Sequence, residues 1–297
     1  MFRLGYNTNG LAHHRVLDAL ELVAELGYEA LSITPDVGQL DPFRLEREEV
    51  AAVRARAEEL GLELTIETGA RFLLDPFRKH RPNLLDDDPA ERAKRVELLL
   101  RHVDLAVDLG ASVVSLWAGA ASDGSVGDRR DGEHAHEELW QRLCDGLRPV
   151  LARGRAQGVQ IAFEPEPGMF VERPSGYEEL VERLGQDGAE LGLCLDVGHC
   201  HATRDLPVAD VIRRYAPRLV LVQLDDCKDG EHVHRMFGEG DLDLRSALHA
   251  LLEVGFDGVA AVELSRDSHR GPAVAREALE RLRAALASRR AQPGAPG

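Results

Sequence analysis

The sequence contains few cysteines, and none of them forms a recognisable pair. Only four occur in 297 residues, without CxxC spacing: Cys144, Cys194, Cys200 and Cys227. This scarcity argues against a disulfide framework and favours buried or rim thiols in a reducing compartment. Cys200 and Cys227 lie near the site predicted below, but a hard-cation site favours oxygen over thiolate ligands.

Long apolar runs and an excess of positive charge are also lacking. No apolar stretch reaches the roughly 18 residues that a membrane span needs, and residues 1–6 enter a strand-like run without a signal-peptide core. The 36 Lys and Arg residues are outnumbered by 52 Asp and Glu, which gives a formal charge of −16. Such a field repels nucleic acid and anionic membranes. We therefore expect a cytoplasmic protein that binds neither.

Strand-like and helix-like segments alternate eight times along the chain. One helix-like segment, Val16–Leu26, carries apolar residues at helical spacing, and Gly27 supplies its C-terminal stop. The strand-like runs cover residues 3–6, 30–33, 63–66, 112–116, 160–163, 191–195, 219–222 and 259–262.

Eight such units predict an α/β fold, a single (β/α)8 TIM barrel over residues 1–288 with a flexible tail at 289–297. Barrels of this kind typically need about 250 residues, and no linker divides the chain into two average domains. The tail has too little apolar content to pack. An open doubly wound sheet is the alternative, but the GxGxxG turn of dinucleotide-binding sheets is absent after the first strand, at residues 5–10.

Four apolar runs in the second half each lead to one side chain that can ligate a metal. These residues are Glu164, Asp196, Gln223 and Glu263. Side chains at the C-terminal ends of barrel strands point into the mouth of the barrel, so we expect these four to meet there. Three carboxylates and one amide oxygen suit a hard cation such as Mg²⁺ or Mn²⁺. The alternative is that the acidic residues cap the helices that follow.

The loops after the first four strands add candidates for substrate binding. Asn7, Glu67 and Trp117 stand at or just beyond predicted strand ends. Trp117 can offer an apolar wall to the C–H face of a sugar, or it can belong to the top layer of barrel packing.

An unusually long loop, residues 69–88, concentrates basic side chains in an acidic protein. Within it we expect Arg71 and His80 to bind an anionic substrate group, a phosphate or a carboxylate. The alternative is a solvated loop whose charges pair with Asp75 and with the acidic run 86–88.

Four short motifs resemble the xylose-isomerase-like TIM-barrel superfamily, which contains sugar-phosphate isomerases and epimerases and the endonuclease-IV enzymes. They are FEPE at residues 163–166, LDVGH at 195–199, VQLDD at 222–226 and FGEG at 237–240. The resemblance is close over the last four strands and extends to the first four by general layout.

The resemblance implies that one metal ion is held by the four strand-end residues named above. Gln223 stands where a His is commoner, and a Gln at this place is also found in hydroxypyruvate-isomerase-like members. Its carbonyl oxygen can ligate a hard cation, so Mn²⁺ or Mg²⁺ is favoured over Co²⁺ or Zn²⁺. His199 matches a residue that contacts substrate or a second metal. His234 is expected to line the pocket; it and His232 could instead be surface features.

The implied activity is that of a metal-dependent isomerase or epimerase acting on a sugar or sugar phosphate. Glu164 and Glu263 would transfer a proton next to a carbonyl, through an enediolate. Glu166 is expected behind the site because Pro165 and Pro167 bend the chain away. The sequence is compatible with a homo-oligomer.

Three rival functions remain. A metal-dependent lyase or dehydratase on a sugar or cyclitol begins with the same proton abstraction. An endonuclease-IV-type phosphodiesterase is disfavoured by the charge and because Asp36, Arg71 and Trp117 stand near places where that group has zinc-binding histidines. A non-catalytic metabolite-binding barrel would not need both Glu164 and Glu263.

Overall fold

The computed structural model describes residues 1–122, 124, 126, 127 and 133–287. Eight parallel strands close into a barrel in the order β1 to β8, and β8 pairs with β1. The prediction of a (β/α)8 TIM barrel is therefore confirmed, whereas residue 288 and the predicted tail 289–297 lie outside the described residues.

The strand bounds agree with the predicted runs to within two residues. The strands are β1 Arg3–Asn7, β2 Ala30–Ile33, β3 Glu63–Glu67, β4 Val113–Leu116, β5 Gln160–Phe163, β6 Gly192–Asp196, β7 Leu219–Leu224 and β8 Val259–Val262. The helices are α1 Val16–Leu26, α2 Arg47–Leu60, α3 Pro89–Leu109, α4 Glu133–Gln157, α5 Pro174–Leu184, α6 Val197–Ala202, α7 Val208–Tyr215, α8 Leu244–Glu253 and α9 Gly271–Ala287. Within the described part of the chain, no helix is both long and apolar enough to cross a membrane.

Helix α1 ends where the sequence predicts. Gly27 has φ +95°, and its N–H donates to the carbonyls of Val23 and Ala24. A residue with a Cβ would be strained in this left-handed conformation, so glycine allows the chain to turn at once toward β2.

The core has two parts, which is the usual consequence of surrounding a closed sheet with helices. The larger part packs the helices onto the outside of the strands. The smaller part fills the barrel interior and consists of Ala30, Val113, Ala162, Cys194, Leu221, Val259 and Ala261. All four cysteines are free and buried, as expected.

Candidate active site

The barrel interior explains why the four predicted metal ligands converge. Each of them follows a residue of the interior layer by two positions, and successive side chains of a strand alternate between its two faces. The ligand residues therefore face the barrel axis above that layer: Glu164, Asp196, Gln223 and Glu263. Asp196 and Gln223 are also paired neighbours in β6 and β7.

Two groups of ligand atoms lie within 4.8 Å of one another and share Asp196. One contains Glu164, Asp196 and His199, and the other contains Asp196, His234 and Glu263. His199 Nε2 lies 3.8 Å from Asp196 Oδ2, and its Nδ1 lies 3.7 Å from Glu164 Oε1. Three of the predicted ligands thus belong to two overlapping groups that are joined by Asp196, and each group also contains one histidine.

Gln223 is fully buried, and neither its Oε1 nor its Nε2 has a hydrogen-bond partner. A buried polar group without a partner costs about 1–3 kcal/mol, so such a group calls for an explanation. Asp196 Oδ2 is unpartnered as well, while its Oδ1 accepts from the N–H of His199 and caps α6. The helix-capping alternative is therefore true of one oxygen of Asp196, and the other oxygen remains available to a cation.

The electrostatics of the strand-end carboxylates also fit a bound cation. Burial, and then the neighbouring carboxylates, raise the pKa values of Glu164 and Asp196 well above their usual range. Burial likewise raises the pKa of Glu263, although His234 and a hydrogen bond from Asn9 oppose the rise. Crowded buried carboxylates can all stay ionised only if a positive charge lies between them. The residues present fit a divalent ion.

His234 is held in place by Asp225. Its Nδ1 lies 2.6 Å from Asp225 Oδ2, and its Nε2 lies 3.9 Å from Glu263 Oε1. Burial opposes protonation of His234, but Glu263 and Asp225 outweigh it and raise the pKa well above its usual value. Sequence reasoning did not single out Asp225; its position directly after β7 was the available signal, and Gly198 of the LDVGH motif leaves the room that this carboxylate needs.

Asp226 explains the FGEG motif. Its carboxylate accepts hydrogen bonds from the N–H groups of Gly238 at 2.7 Å and Gly240 at 3.0 Å, and from that of Leu242 at 2.9 Å. A Cβ at position 240 would collide with the carbonyl of Cys227. The Asp226 carboxylate therefore ties residues 238–242 back to the end of β7, so that the intervening segment with His232 and His234 forms a closed loop.

Glu166 lies in the site, against the expectation that the prolines would carry it away. Its N–H donates to the carbonyl of Val171 and its own carbonyl accepts from Met169, and this turn directs the side chain inward. The Glu166 carboxylate lies 3.6 Å from His199 Nδ1 and 3.4 Å from His232 Nε2. Burial raises the pKa of Glu166 to about 8.

The two histidines beside Glu166 form a contact of their own. The Nε2 atoms of His199 and His232 lie 3.0 Å apart. Burial and the neighbouring imidazoles lower the pKa values of both, that of His232 to about 4. Both rings are therefore neutral at pH 7 and can relay a proton rather than carry a charge.

The first strands supply groups that position the site. Asn9 Nδ2 donates to Glu263 Oε1 at 2.8 Å, and Thr34 donates to Glu67 Oε2 at 2.7 Å. Asn7, predicted to contact substrate, is fully buried: its Oδ1 accepts from Thr34 and from the N–H of Asn9. Glu67 and Asn9 line the cavity, so the asparagine of this loop that faces the cavity is Asn9 instead of Asn7.

A cavity of about 420 Å³ opens above these groups. Trp117 and His80 form one wall, with their rings edge to face at 5.1 Å. Behind Trp117, the buried guanidinium of Arg95 stacks on the indole at 4.4 Å, which fixes the orientation of the ring. Burial lowers the pKa of His80 to about 4, so this residue offers a neutral ring instead of the expected cation.

The long basic loop divides its charges between two roles. Arg78 pairs with Asp75 at 2.6 Å and Arg81 pairs with Asp86 at 2.9 Å, as the solvated-loop alternative expects. Arg71 and Lys79 line the cavity instead.

Comparison with known proteins agrees with this architecture. The family model described as xylose isomerase-like TIM barrel matches residues 20–285. An inosose dehydratase of Lacticaseibacillus casei is 27% identical over 190 residues, which cover 57% of this chain and 62% of that protein, so the chain spans less than two thirds of this relative. The L-ribulose-5-phosphate 3-epimerase UlaE of Shigella flexneri serotype 5b (strain 8401) is 25% identical over 266 residues, 86% of this chain and 84% of that protein.

Among solved structures, the IOLI protein with a bound zinc atom has a TM-score of 0.73 at 19% identity, covering 96% of this chain and 98% of that one. At this identity the likeness shows the fold alone. The family match, by contrast, extends over most of the sequence and includes all four strand-end residues of the site. The chain therefore belongs to the xylose isomerase-like TIM barrel family.

Proposed function

We propose that the protein is a metal-dependent epimerase or isomerase of a sugar or sugar phosphate. The observation that carries the proposal is the unpartnered amide of Gln223 in a buried layer with three carboxylates. A divalent ion satisfies this amide and offsets the crowded negative charge at once. Relatives that include an L-ribulose-5-phosphate 3-epimerase support the reaction class.

The four strand-end residues would hold the ion: Glu164, Asp196, Gln223 and Glu263. Their oxygen donors favour Mn²⁺ or Mg²⁺. His199 and His234 lie within reach of the same carboxylates, and the similar IOLI structure holds zinc, which keeps Zn²⁺ or Co²⁺ in the proposal. When bound, the ion supplies Lewis acidity at the carbonyl of the substrate.

Glu164 and Glu263 are the proposed proton-transfer groups. Glu164 is buried, the side chain of Glu263 is only 12% exposed, and both line the floor of the cavity. The raised pKa values of the two carboxylates bring them closer to the range in which proton transfer at neutral pH is efficient. Asn9 donates to Oε1 of Glu263 at 2.8 Å, which leaves Oε2 available for proton transfer. Trp117 provides the apolar wall against which the sugar lies.

Dehydration is the second candidate, and the contact between Glu166, His199 and His232 favours it. A dehydratase removes the same proton and then needs an acid that protonates the leaving hydroxyl. Glu166, with its pKa raised to about 8, is such an acid. The similarity to an inosose dehydratase over 57% of the chain points the same way.

Solvent exchange distinguishes these functions. The purified protein is analysed for metal, loaded with Mn²⁺ and incubated in D₂O with a panel of ketoses, ketose phosphates and inososes. The proposal expects deuterium at the carbon next to the carbonyl, and EDTA should abolish its incorporation. An epimerase returns a stereoisomer, whereas a dehydratase returns a product that is lighter by one water. Sugars that bind the metal-loaded protein without any exchange would refute both functions.

A further inference from the structure

Three cationic side chains line the same cavity as the buried carboxylates. Arg71 and Lys79 come from the loop after β3, and Arg266 comes from the loop after β8. Among the described residues, none of the three has a carboxylate within 4.0 Å. On the same β3 loop, Arg78 and Arg81 do have such partners. The cations without partners are thus the ones that face the cavity.

The loop geometry holds two of these cations side by side. The N–H of His80 donates to the carbonyl of Arg71 at 2.7 Å, so residues 71 and 80 close the neck of the loop and bring Lys79 next to Arg71. The N–H of Arg71 lies 3.3 Å from Asp36 Oδ2, which anchors this neck to the loop after β2. Hydrogen bonds of the backbone thus fix the positions from which the Arg71 and Lys79 side chains extend.

The three charges act on one another. Burial and the positive charge of Arg71, with a further contribution from Arg266, lower the pKa of Lys79, although Glu166 opposes the change. Arg71 also acts on the carboxylates of Glu67 and Glu263, whose pKa values it lowers, but none of the three cations forms an ion-pair contact among the described residues. An anion bound between the three cations relieves their mutual repulsion. His80 is neutral and therefore takes no part in the charge balance.

The cavity is thus divided between two signs of charge. The carboxylate layer lies at its buried floor, while Lys79 and Arg266 are exposed at its opening. A substrate that presents its carbonyl to the floor would present its far end to the cations.

We propose that Arg71, Lys79 and Arg266 form a subsite for an anionic group at the end of the sugar remote from the reacting carbonyl. The proposal rests on the function proposed above and narrows it to anionic sugars. A phosphate ester and a carboxylate share the required chemistry. A planar guanidinium can bind either of them through two hydrogen bonds, and the ammonium of Lys79 adds a point charge.

The test compares a ketopentose 5-phosphate with the unphosphorylated ketopentose in the Mn²⁺-loaded protein. Lys79→Gln and Arg266→Gln should each raise KM for the phosphate about 10- to 150-fold, the effect of losing one charge-assisted hydrogen bond, and leave kcat and the neutral substrate nearly unchanged. Arg78→Gln is the matched control, since it removes a charge from the same loop but not from the cavity. It should leave both substrates unaffected.

Inorganic phosphate and acetate serve as probes of the anion itself, by inhibition or by calorimetry. Binding of phosphate that weakens in Lys79→Gln and Arg266→Gln but not in Arg78→Gln supports a phosphate ester; the same pattern with acetate alone supports a carboxylate. Equal losses for the charged and neutral sugars, or no binding of either anion to the wild-type protein, would overturn the subsite. Exchange of solvent deuterium into the neutral sugar would still uphold the proposed function in that case, so the two proposals fail separately.

Discussion

Replacement of Gln223 by methionine in the metal-free protein should stabilise it. The side chain is fully buried, and both polar atoms of its amide lack partners. Methionine has a similar length and no group that needs a hydrogen bond, so Gln223→Met removes a desolvation cost of about 1–3 kcal/mol. For a chain of this size, this gain corresponds to a rise in Tm of roughly 2–6 °C.

The same substitution should weaken stabilisation by metal. At a concentration of Mn²⁺ 100 times Kd, the wild-type protein gains about 2.7 kcal/mol, and Gln223→Met should gain clearly less because one ligand is lost. Thermal or urea unfolding in EDTA and in Mn²⁺ measures both effects on the same samples. The two curves of the variant should therefore lie closer together than those of the wild type.

Gln39 provides a matched control for this experiment. It is also buried, but its Nε2 donates to the carbonyls of Leu11 at 3.1 Å and His14 at 2.9 Å. Gln39→Met removes both hydrogen bonds; the Leu11 carbonyl still accepts from the N–H of His14, but the His14 carbonyl loses its donor. The substitution should therefore cost stability in EDTA, with no effect on the gain from Mn²⁺. If Gln223→Met destabilised the metal-free protein as Gln39→Met does, or kept the full response to Mn²⁺, the assignment of Gln223 to the metal site would be wrong.

Three other substitutions extend the tests. Glu263→Gln should retain the ion while turnover falls at least about 100-fold, as measured by metal analysis and deuterium exchange, because an amide can ligate but cannot transfer the proton. Gln223→His should shift metal preference toward Zn²⁺ or Co²⁺ in competition binding, because imidazole is a softer donor. His102 is buried in α3 with its pKa lowered to about 4 from 6.5, so the unfolded chain takes up a proton first as the pH falls. Its contribution of about 3 kcal/mol should be complete above about pH 6.5 and be lost toward pH 4, and His102→Gln should flatten the fall in urea-unfolding free energy measured in EDTA over this range.

Each of these three predictions can be contradicted by a specific result. Near-normal turnover in Glu263→Gln with normal metal content would move the proton transfer to Glu166 or His199. An unchanged metal preference in Gln223→His would place this side chain outside the ligand shell. An unchanged pH profile in His102→Gln would mean that other groups, such as His80, account for the loss at low pH.

The sequence alone determined the barrel and the ring of predicted ligands. Apolar runs, the glycine stop at Gly27 and the alternation of side chains along a strand are local properties, and they locate the strand ends to within two residues. Because every parallel strand of a barrel ends at the same mouth, Glu164, Asp196, Gln223 and Glu263 had to converge once the strands were identified.

Only the tertiary structure decided which loop residues join that ring. Glu166 turns inward through a hydrogen bond to Val171, Asn9 takes the place expected for Asn7, and Asp225 reaches His234 from the end of β7. The ion pairs of the basic loop, residues 69–88, could not be predicted from the sequence either. The charge of a side chain does not show whether it will contact a carboxylate or face the cavity. Strand ends follow from short-range periodicity, whereas loop side chains are placed by contacts between segments that are distant in sequence.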